Sequence, residues 1–239
     1  MSRRTVHLDA PPSEAARAAA AMFGVELRVR RARTPTARPQ ARAIARALHR
    51  TLAPGTVAAL VGPSGSGKSA ALHALRTLAH THARPVVEPR APRPGVAPID
   101  AVRGDLARRL RTLTGAGLAD ATAFARPART LSDGERWRLA LAIALDRAER
   151  APDPRPRNAA NVRTPVLLLA DEFGATLDPV TARTVAALAA RRVRTLPHAA
   201  IVVATGRDAL AGAMRPDVLV RLELDGRWRI DTRQPGRDA

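Results

Sequence analysis

The chain has 239 residues, 46% of them hydrophobic, enough for one large domain with a sizeable core. It contains no cysteine, which excludes a disulfide framework and any cysteine-based zinc or redox site, and no apolar run reaches the roughly 20 residues that cross a bilayer. The net charge of +19 would attract nucleic acid or anionic lipid, but a composition saturated with Ala, Arg and Pro and lacking Tyr yields the same excess, so charge alone selects no partner. The start, MSRRTVHLDAPPSE, has no apolar stretch behind its arginines and does not read as a signal peptide, so a cytoplasmic chain is expected.

SEAARAAAAM predicts a short helix capped by Ser13, and GVELRVR alternates like a strand. In PQARAIARALHR, Arg42, Arg46 and Arg50 recur along one helical face, with Ile44 and Leu48 on another; the stripe reads as a solvated face or as a row of phosphate contacts. TVAALVG is a buried-strand run, SAALHALRTLAH a helix and RPVVEP a short strand. Pro89, Pro92, Pro94 and Pro98 then mark an irregular connection into one helical stretch from about Asp100 to Leu113. ERWRLALAIALDRAER carries a helical stripe of apolar residues, APDPRPRNAANVRTP reads as a surface loop, and VLLLADEF is the most strand-like run. A helix over TARTVAALAARRVRTL and a strand over AAIVVATG continue the alternation of a parallel sheet. At the end, Asp225 and Gly226 between two alternating runs predict a two-residue hairpin.

The chemistry concentrates in GPSGSGKS, which fits G-x-x-x-x-G-K-[ST] in full and lies between a predicted strand and a predicted helix. Gly62, Gly65 and Gly67 let the backbone curl so that N–H groups of Gly62, Pro63, Ser64, Gly65, Ser66, Gly67, Lys68 and Ser69, proline apart, can face phosphates at a helix start. Lys68 is the only lysine in the sequence, the other basic residues being arginine. A slim ammonium on a flexible stem reaches a β- or γ-phosphate where a planar guanidinium needs more room. Ser69 would place its hydroxyl on Mg²⁺, Asp171 at the end of LLLAD would hold the metal through water, and Glu172 is the natural general base for an attacking water.

GPSGSGKS, LSDGE at 131–135, VLLLADEF at 166–173 and ATLD at 175–178, in that order, resemble the motifs of the ABC-type ATPases. The resemblance covers most of residues 54–225 and implies an α/β P-loop NTPase of ABC type. Its mainly parallel central sheet would be flanked by helices, with a helical subdomain at about 90–150 and a small antiparallel β part, all within a single domain over 1–239. It further implies ATP and Mg²⁺ as cofactors, and an ATP-dependent head-to-tail homodimer in which Ser132 and Gly134 of one copy meet the γ-phosphate held by the other. The residues of LSDGE suit that role, since a serine, a glycine and a helix start offer hydroxyl, N–H groups and a helix dipole to an anion; a plain helix cap needs the same residues.

The sequence departs from the family pattern at four places. Asp133 replaces the common second signature glycine and puts a carboxylate where a phosphate is expected, unless it turns away or meets an arginine. Glutamine occurs only at 40 and 234, so Glu88 is left for the metal-sensing glutamine slot. No aromatic residue lies between Phe23 and Phe124, which leaves an arginine or His49 to stack on adenine. Arg207 stands where the family has a histidine; as a catalytic group it could stabilise transition-state charge but could not shuttle a proton, which implies slow hydrolysis.

GLADATAFARPARTLSDGERWRLALAIAL, ADEFGATLDPVTAR and MRPDVLVRLELDG also resemble a subgroup of soluble ABC-type ATPases found alone or fused to acetyltransferase-like domains. On the sequence, the first expectation is a soluble ATPase acting on a nucleic-acid or protein partner, with a separate acetyltransferase-like partner as a conjecture. The alternatives are the ATP-binding subunit of a membrane transporter, docked on a permease, and a weakly hydrolysing scaffold.

Overall fold

The computed structural model describes residues 4–8, 11–29, 39–151 and 165–233. The expected surface loop between Ala151 and Pro165 lies almost wholly outside the described residues, as does Gln234. The chain falls into two compact units, residues 1–37 and 38–239.

In the first unit, β1 (Arg4–Leu8) and β2 (Val25–Val29) pair in parallel, from Arg4 with Val25 to Leu8 with Val29, and α1 (Glu14–Met22) connects them. Ser13 caps α1 as expected, its hydroxyl oxygen accepting the Ala16 N–H at 3.2 Å. β1 is an addition to the expected elements. RTVHL is too short and too polar to declare itself, and it is a strand because β2 supplies the ladder.

The second unit begins with α2 (Pro39–Thr51), β3 (Val57–Val61), α3 (Lys68–Thr81) and β4 (Val86–Val87). Four helices follow, α4 (Pro98–Ala101), α5 (Leu106–Gly115), α6 (Ala121–Ala125) and α7 (Asp133–Arg150), and then β5 (Val166–Ala170), α8 (Pro179–Arg194), β6 (Ala199–Thr205), α9 (Asp208–Met214), β7 (Val218–Leu222) and β8 (Trp228–Thr232). The sheet order is β4-β5-β6-β3-β7-β8, parallel throughout except for the antiparallel edge pair β7 and β8. This is the mainly parallel α/β architecture with a small antiparallel part that the motifs implied.

Every residue of β3, β5 and β6 is buried, which explains why these segments read as unbroken apolar runs rather than alternating ones. Val57, Ala59, Val61, Val166, Leu168, Ile201 and Val203 pack with α7, α8 and α9 in one core. The intervening Ala58, Leu60, Leu167 and Val202 are equally buried and, by the period of two, face the other side of the sheet. Full burial of each Val or Leu here contributes about 1.5–3 kcal/mol. On α2, Ile44 and Leu48 are buried and Arg42, Arg46 and Arg50 exposed, the predicted division of faces. Buried Asp146 of α7 is met by Arg108 of α5 at 3.1 Å and by Arg150 at 2.8 Å, while Glu149 takes Arg108 and Arg192 of α8, which knits three helices together.

Two expected elements are corrected. The single helix over 100–113 is two helices, because Gly104 adopts a left-handed conformation (φ 114°) and Asp105 then caps α5, accepting the Arg108 N–H at 2.7 Å. The two-residue hairpin is a longer turn. Glu223 N–H donates to Arg227 O at 2.9 Å, Gly226 N–H donates to Glu223 O at 3.3 Å, and Gly226 takes φ 91°, the left-handed position that closes a three-residue connection.

Arg84 is 3% exposed. Its guanidinium donates to Leu52 O at 2.8 Å, Pro165 O at 3.0 Å and His49 O at 3.4 Å, and lies 3.2 Å from His49 Nδ1. It therefore satisfies carbonyls at the C-terminal end of α2 and ties them to the start of β5, where the helix dipole favours a cation. Burial pushes the guanidinium down to about 10, so it remains charged at neutral pH in the folded and unfolded chain alike. Arg84→Ala is expected to lower the unfolding free energy by about 2–4 kcal/mol, with no change in that deficit between about pH 6 and 8; denaturant titrations at the two pH values check both.

Candidate functional site

β5, β6 and β3 lie side by side and run the same way, so the segments after their last residues converge at one end of the sheet. The glycine loop follows β3, Asp171 and Glu172 follow β5, and Gly206 and Arg207 follow β6. Between them is a cavity of about 610 Å³ lined by Ser64, Gly65, Gly67, Lys68, Ser69, Asp171, Glu172 and Arg207, with Thr205 and Gly206 at the β6 side. The structure thus brings together most of the predicted phosphate and catalytic residues from three separate strand ends.

The loop is shaped by close approach as much as by turn geometry. A Cβ on Gly62 would collide with the carbonyl oxygen of Leu222 and sit 2.9 Å from Ser66 Oγ. Gly67, at φ 103°, is the N-cap from which α3 starts, leaving the first N–H groups of that helix open towards the cavity. Gly62, Pro63 and Ser66 do not line the cavity with side chains. Gly62 and Pro63 contribute carbonyls instead, which accept from Lys68 Nζ at 2.6 and 2.7 Å. The Ser66 hydroxyl is buried without a hydrogen-bond partner, and its N–H donates to Pro63 O at 3.3 Å.

Desolvation lowers the Lys68 ammonium below its ordinary value, while the carboxylates of Asp171 and Glu172 pull it back up. A phosphate entering the cavity would offer that ammonium stronger, charged acceptors than the two carbonyls it holds. The Asp171 carboxylate accepts the Glu172 N–H at 2.9 Å. Glu172 itself is a non-glycine residue at φ 48°, a conformation costing about 1–3 kcal/mol and held by its surroundings. Phe173, buried, fixes it from below: its N–H donates to Ala204 O at 2.9 Å, and its ring meets Trp137 of α7 edge-on at 4.9 Å between centroids.

A second cavity of about 640 Å³ shares Ser69 and Asp171 with the first and extends past Glu88 to Asp133 and Arg136. A hydroxyl and one carboxylate suit Mg²⁺, which takes few protein oxygens and completes its shell with water and phosphate. Among the described residues no group of three or more His, Cys, Asp or Glu could hold a metal by itself, so any ion here would depend on the bound phosphates for ligands. Glu88 faces this cavity from the end of β4 but is ion-paired with Arg76 of α3 at 3.4 Å. His49 is engaged elsewhere, its ring 4.7 Å from that of His82 and next to Arg84.

Ser132 and Gly134 sit at the start of α7, outside the first cavity. Ser132 N–H donates to Glu135 Oε2 at 2.7 Å and Glu135 N–H donates to Ser132 Oγ at 3.3 Å, a reciprocal cap that leaves the serine hydroxyl hydrogen uncommitted. The Ser132 N–H, with Arg126 adding, holds the Glu135 carboxyl below its usual range. A depressed carboxylate stabilises the fold at neutral pH, and that contribution is lost as acidification protonates it. Asp133 is paired with Arg136, the arginine that keeps its charge from standing alone at the helix start. Arg136, Arg76, Phe173 and Thr205 are site residues that the motifs did not single out, because their roles depend on which side chains the fold sets opposite them.

No family model matches the chain. It is 40% identical over 166 residues to the aliphatic sulfonates import ATP-binding protein SsuB 3 of Nocardia farcinica (strain IFM 10152), a match covering 63% of this chain and 60% of that protein. Among solved structures, it is similar to the dimeric post-hydrolysis state of the ATP-binding cassette MJ0796 bound to ADP and Pi, with a TM-score of 0.53 and 20% identity over 76% of this chain and 87% of the other. A second dimeric structure of MJ0796, described as a bacterial ABC transporter cassette, matches at a TM-score of 0.52, again at 20% identity over 76% and 87%. In fold and in the order of its motifs, the chain is similar to ABC-type ATP-binding cassettes. The chain spans about 60% of the length of the curated relative it matches. None of these relatives is described as acting on nucleic acid or with an acetyltransferase.

The glycine loop gives the site a sharp steric test. Gly62→Ala is expected to displace the Leu222 backbone or the loop itself and to weaken ATP binding at least about tenfold, read by equilibrium titration with a fluorescent ATP analogue.

Proposed function

We propose that the cassette binds and hydrolyses ATP with Mg²⁺, closing head to tail with a second copy, and that it serves as the ATP-binding subunit of a membrane transporter. The observation that carries the reading is the single cavity into which Lys68, Ser69, Asp171 and Glu172 all open. Lys68 and the loop N–H groups hold the phosphates, Ser69 and Asp171 the metal, and Glu172 takes a proton from the attacking water. Ser132 and Gly134 of the second copy approach the γ-phosphate from outside, the serine with its uncommitted hydroxyl hydrogen and the helix with its positive end.

Transport is favoured over action on nucleic acid because the curated relative is an import ATP-binding protein. A docking place is also at hand. A groove of about 490 Å³ is lined by Pro92, Val96 and Ile143 and by five arginines, Arg90, Arg93, Arg103, Arg147 and Arg150, against two aspartates, Asp100 and Asp146, an excess of positive charge that suits an acidic, partly apolar segment of a permease. The groove shares Ala91 and Pro92 with the cavity that contains Glu88, Ser69 and Asp171, so a partner seated there would press on the strip leading to the metal side of the site. No helix among the described residues is long and apolar enough to cross a membrane, and in this reading the permease supplies the spans.

Steady-state hydrolysis by the full chain tests the reading. Glu172→Gln is expected to lower kcat by about 100-fold or more while retaining ATP, and Lys68→Arg to abolish most turnover by crowding the phosphates. Stimulation in vesicles containing the membrane subunit of an importer would support the transport role. Stimulation by duplex DNA that falls steeply with salt would overturn it in favour of a nucleic-acid partner.

A further inference from the structure

Arg207 lies on the wall of the phosphate cavity, and its guanidinium is engaged with main chain. Nη1 donates to Leu177 O at 3.0 Å and Gly174 O at 3.3 Å, and Nη2 to Ala175 O at 3.4 Å. Three of its five N–H donors are therefore committed to one turn, the segment that leaves Glu172 and runs to the cap of α8. Arg207 is itself pinned to the end of β6, where its N–H donates to the buried Thr205 Oγ1 at 3.2 Å.

The turn is one that would relax if released. It contains two left-handed residues, Glu172 at φ 48° and Gly174 at φ 70°, and its internal bonds are only Ala175 N–H to Glu172 O at 3.0 Å and Leu177 N–H to Gly174 O at 3.1 Å. At its far end Asp178 caps α8, accepting the N–H groups of Val180 and Thr181. At its near end Phe173 is bonded to Ala204 of β6. Among the described residues Arg207 is the side chain that hydrogen-bonds the middle of the turn, where the Leu177 side chain is also buried in the core. A planar fork can address three carbonyls that point to different sides of one turn, whereas a single ammonium reaches one or two.

We propose that Arg207 is a positioning residue, clipping the 174–177 turn to the end of β6 so that the strained Glu172 keeps its aim at the phosphate cavity. The proposal rests on the ATPase reading above and replaces the expectation that this arginine contacts the γ-phosphate itself. Loss of the clip leaves the phosphate loop untouched, so it lowers the chemical step and spares nucleotide binding. An imidazole, with one or two donors, could not hold the same three carbonyls, which gives the arginine at this position its own reason.

The test uses the full chain carrying Arg207→Ala and Arg207→Lys, with Glu172→Gln as a reference. In Arg207→Ala without nucleotide, amide exchange at residues 172–178 is expected to rise while exchange at 62–69 is unchanged. With MgATP, kcat should fall by about 100-fold, the dissociation constants for ATP and ADP should stay within about twofold, and Arg207→Lys should recover part of the loss. Arg207→Ala in the Glu172→Gln background should cost little more, because both changes remove the same aimed carboxylate. Unchanged exchange at 172–178, or a tenfold loss of ATP affinity with ADP affinity intact, would overturn the clip and make Arg207 a phosphate contact. If the unaltered chain hydrolyses no ATP, the ATPase reading fails, and the exchange experiment still decides whether the clip exists.

Discussion

Three fully buried parallel strands, β5, β6 and β3, stand next to one another in register, Leu168 and Ile201 aligned across one ladder and Val57 and Ile201 across the other. Buried strands cannot slip, because a shift of one residue would exchange the side chains of two packed faces and strand backbone groups without partners. Their carboxyl ends are therefore fixed relative to one another, and with them the glycine loop, the acidic pair and the Gly206-Arg207 step. The placement of the candidate site hangs from that alignment.

The site is built from main chain to an unusual degree. Gly62 and Pro63 serve as acceptors for Lys68, Leu222 presses on Gly62, and the carbonyls of 174–177 occupy Arg207. Arginines repeatedly do this work elsewhere in the chain too: Arg84 gathers carbonyls of α2 and β5, and Arg194 those of Met214 and Arg215. A composition that replaces lysine by arginine at every basic position but one gives the fold a supply of multidentate donors. Some of these arginines are thus structural in their placement, while the α2 stripe and Arg90, Arg93 and Arg147 of the groove keep their charge at the surface.

The departures from the family pattern acquire individual explanations in three dimensions. Asp133 is matched by Arg136 one turn along α7, so its carboxylate does not stand as an uncompensated charge at the helix start. Glu88 is restrained by Arg76, which places an ion pair rather than an amide in the cavity that Ser69 and Asp171 also line. His49 belongs to the buried Arg84 network and lines neither cavity of the site.

From the sequence by itself came the buried strands, the helical stripes, the cap of α1, and the glycine loop between strand and helix with the acidic pair at a neighbouring strand end. These depend on local periodicity and on spacing within one strand-loop-helix unit, so they are written in consecutive residues. The break at Gly104 and Asp105 and the longer hairpin at Gly226 escaped because left-handed glycines and turn geometry settle them rather than apolar periodicity. What only the tertiary structure decided is which distant groups meet: Arg136 with Asp133, Phe173 with Trp137, Arg207 with the turn beyond Glu172. The reason is that a side chain's partner across two strand ends is set by sheet order and register, and neither is encoded in the residues beside it.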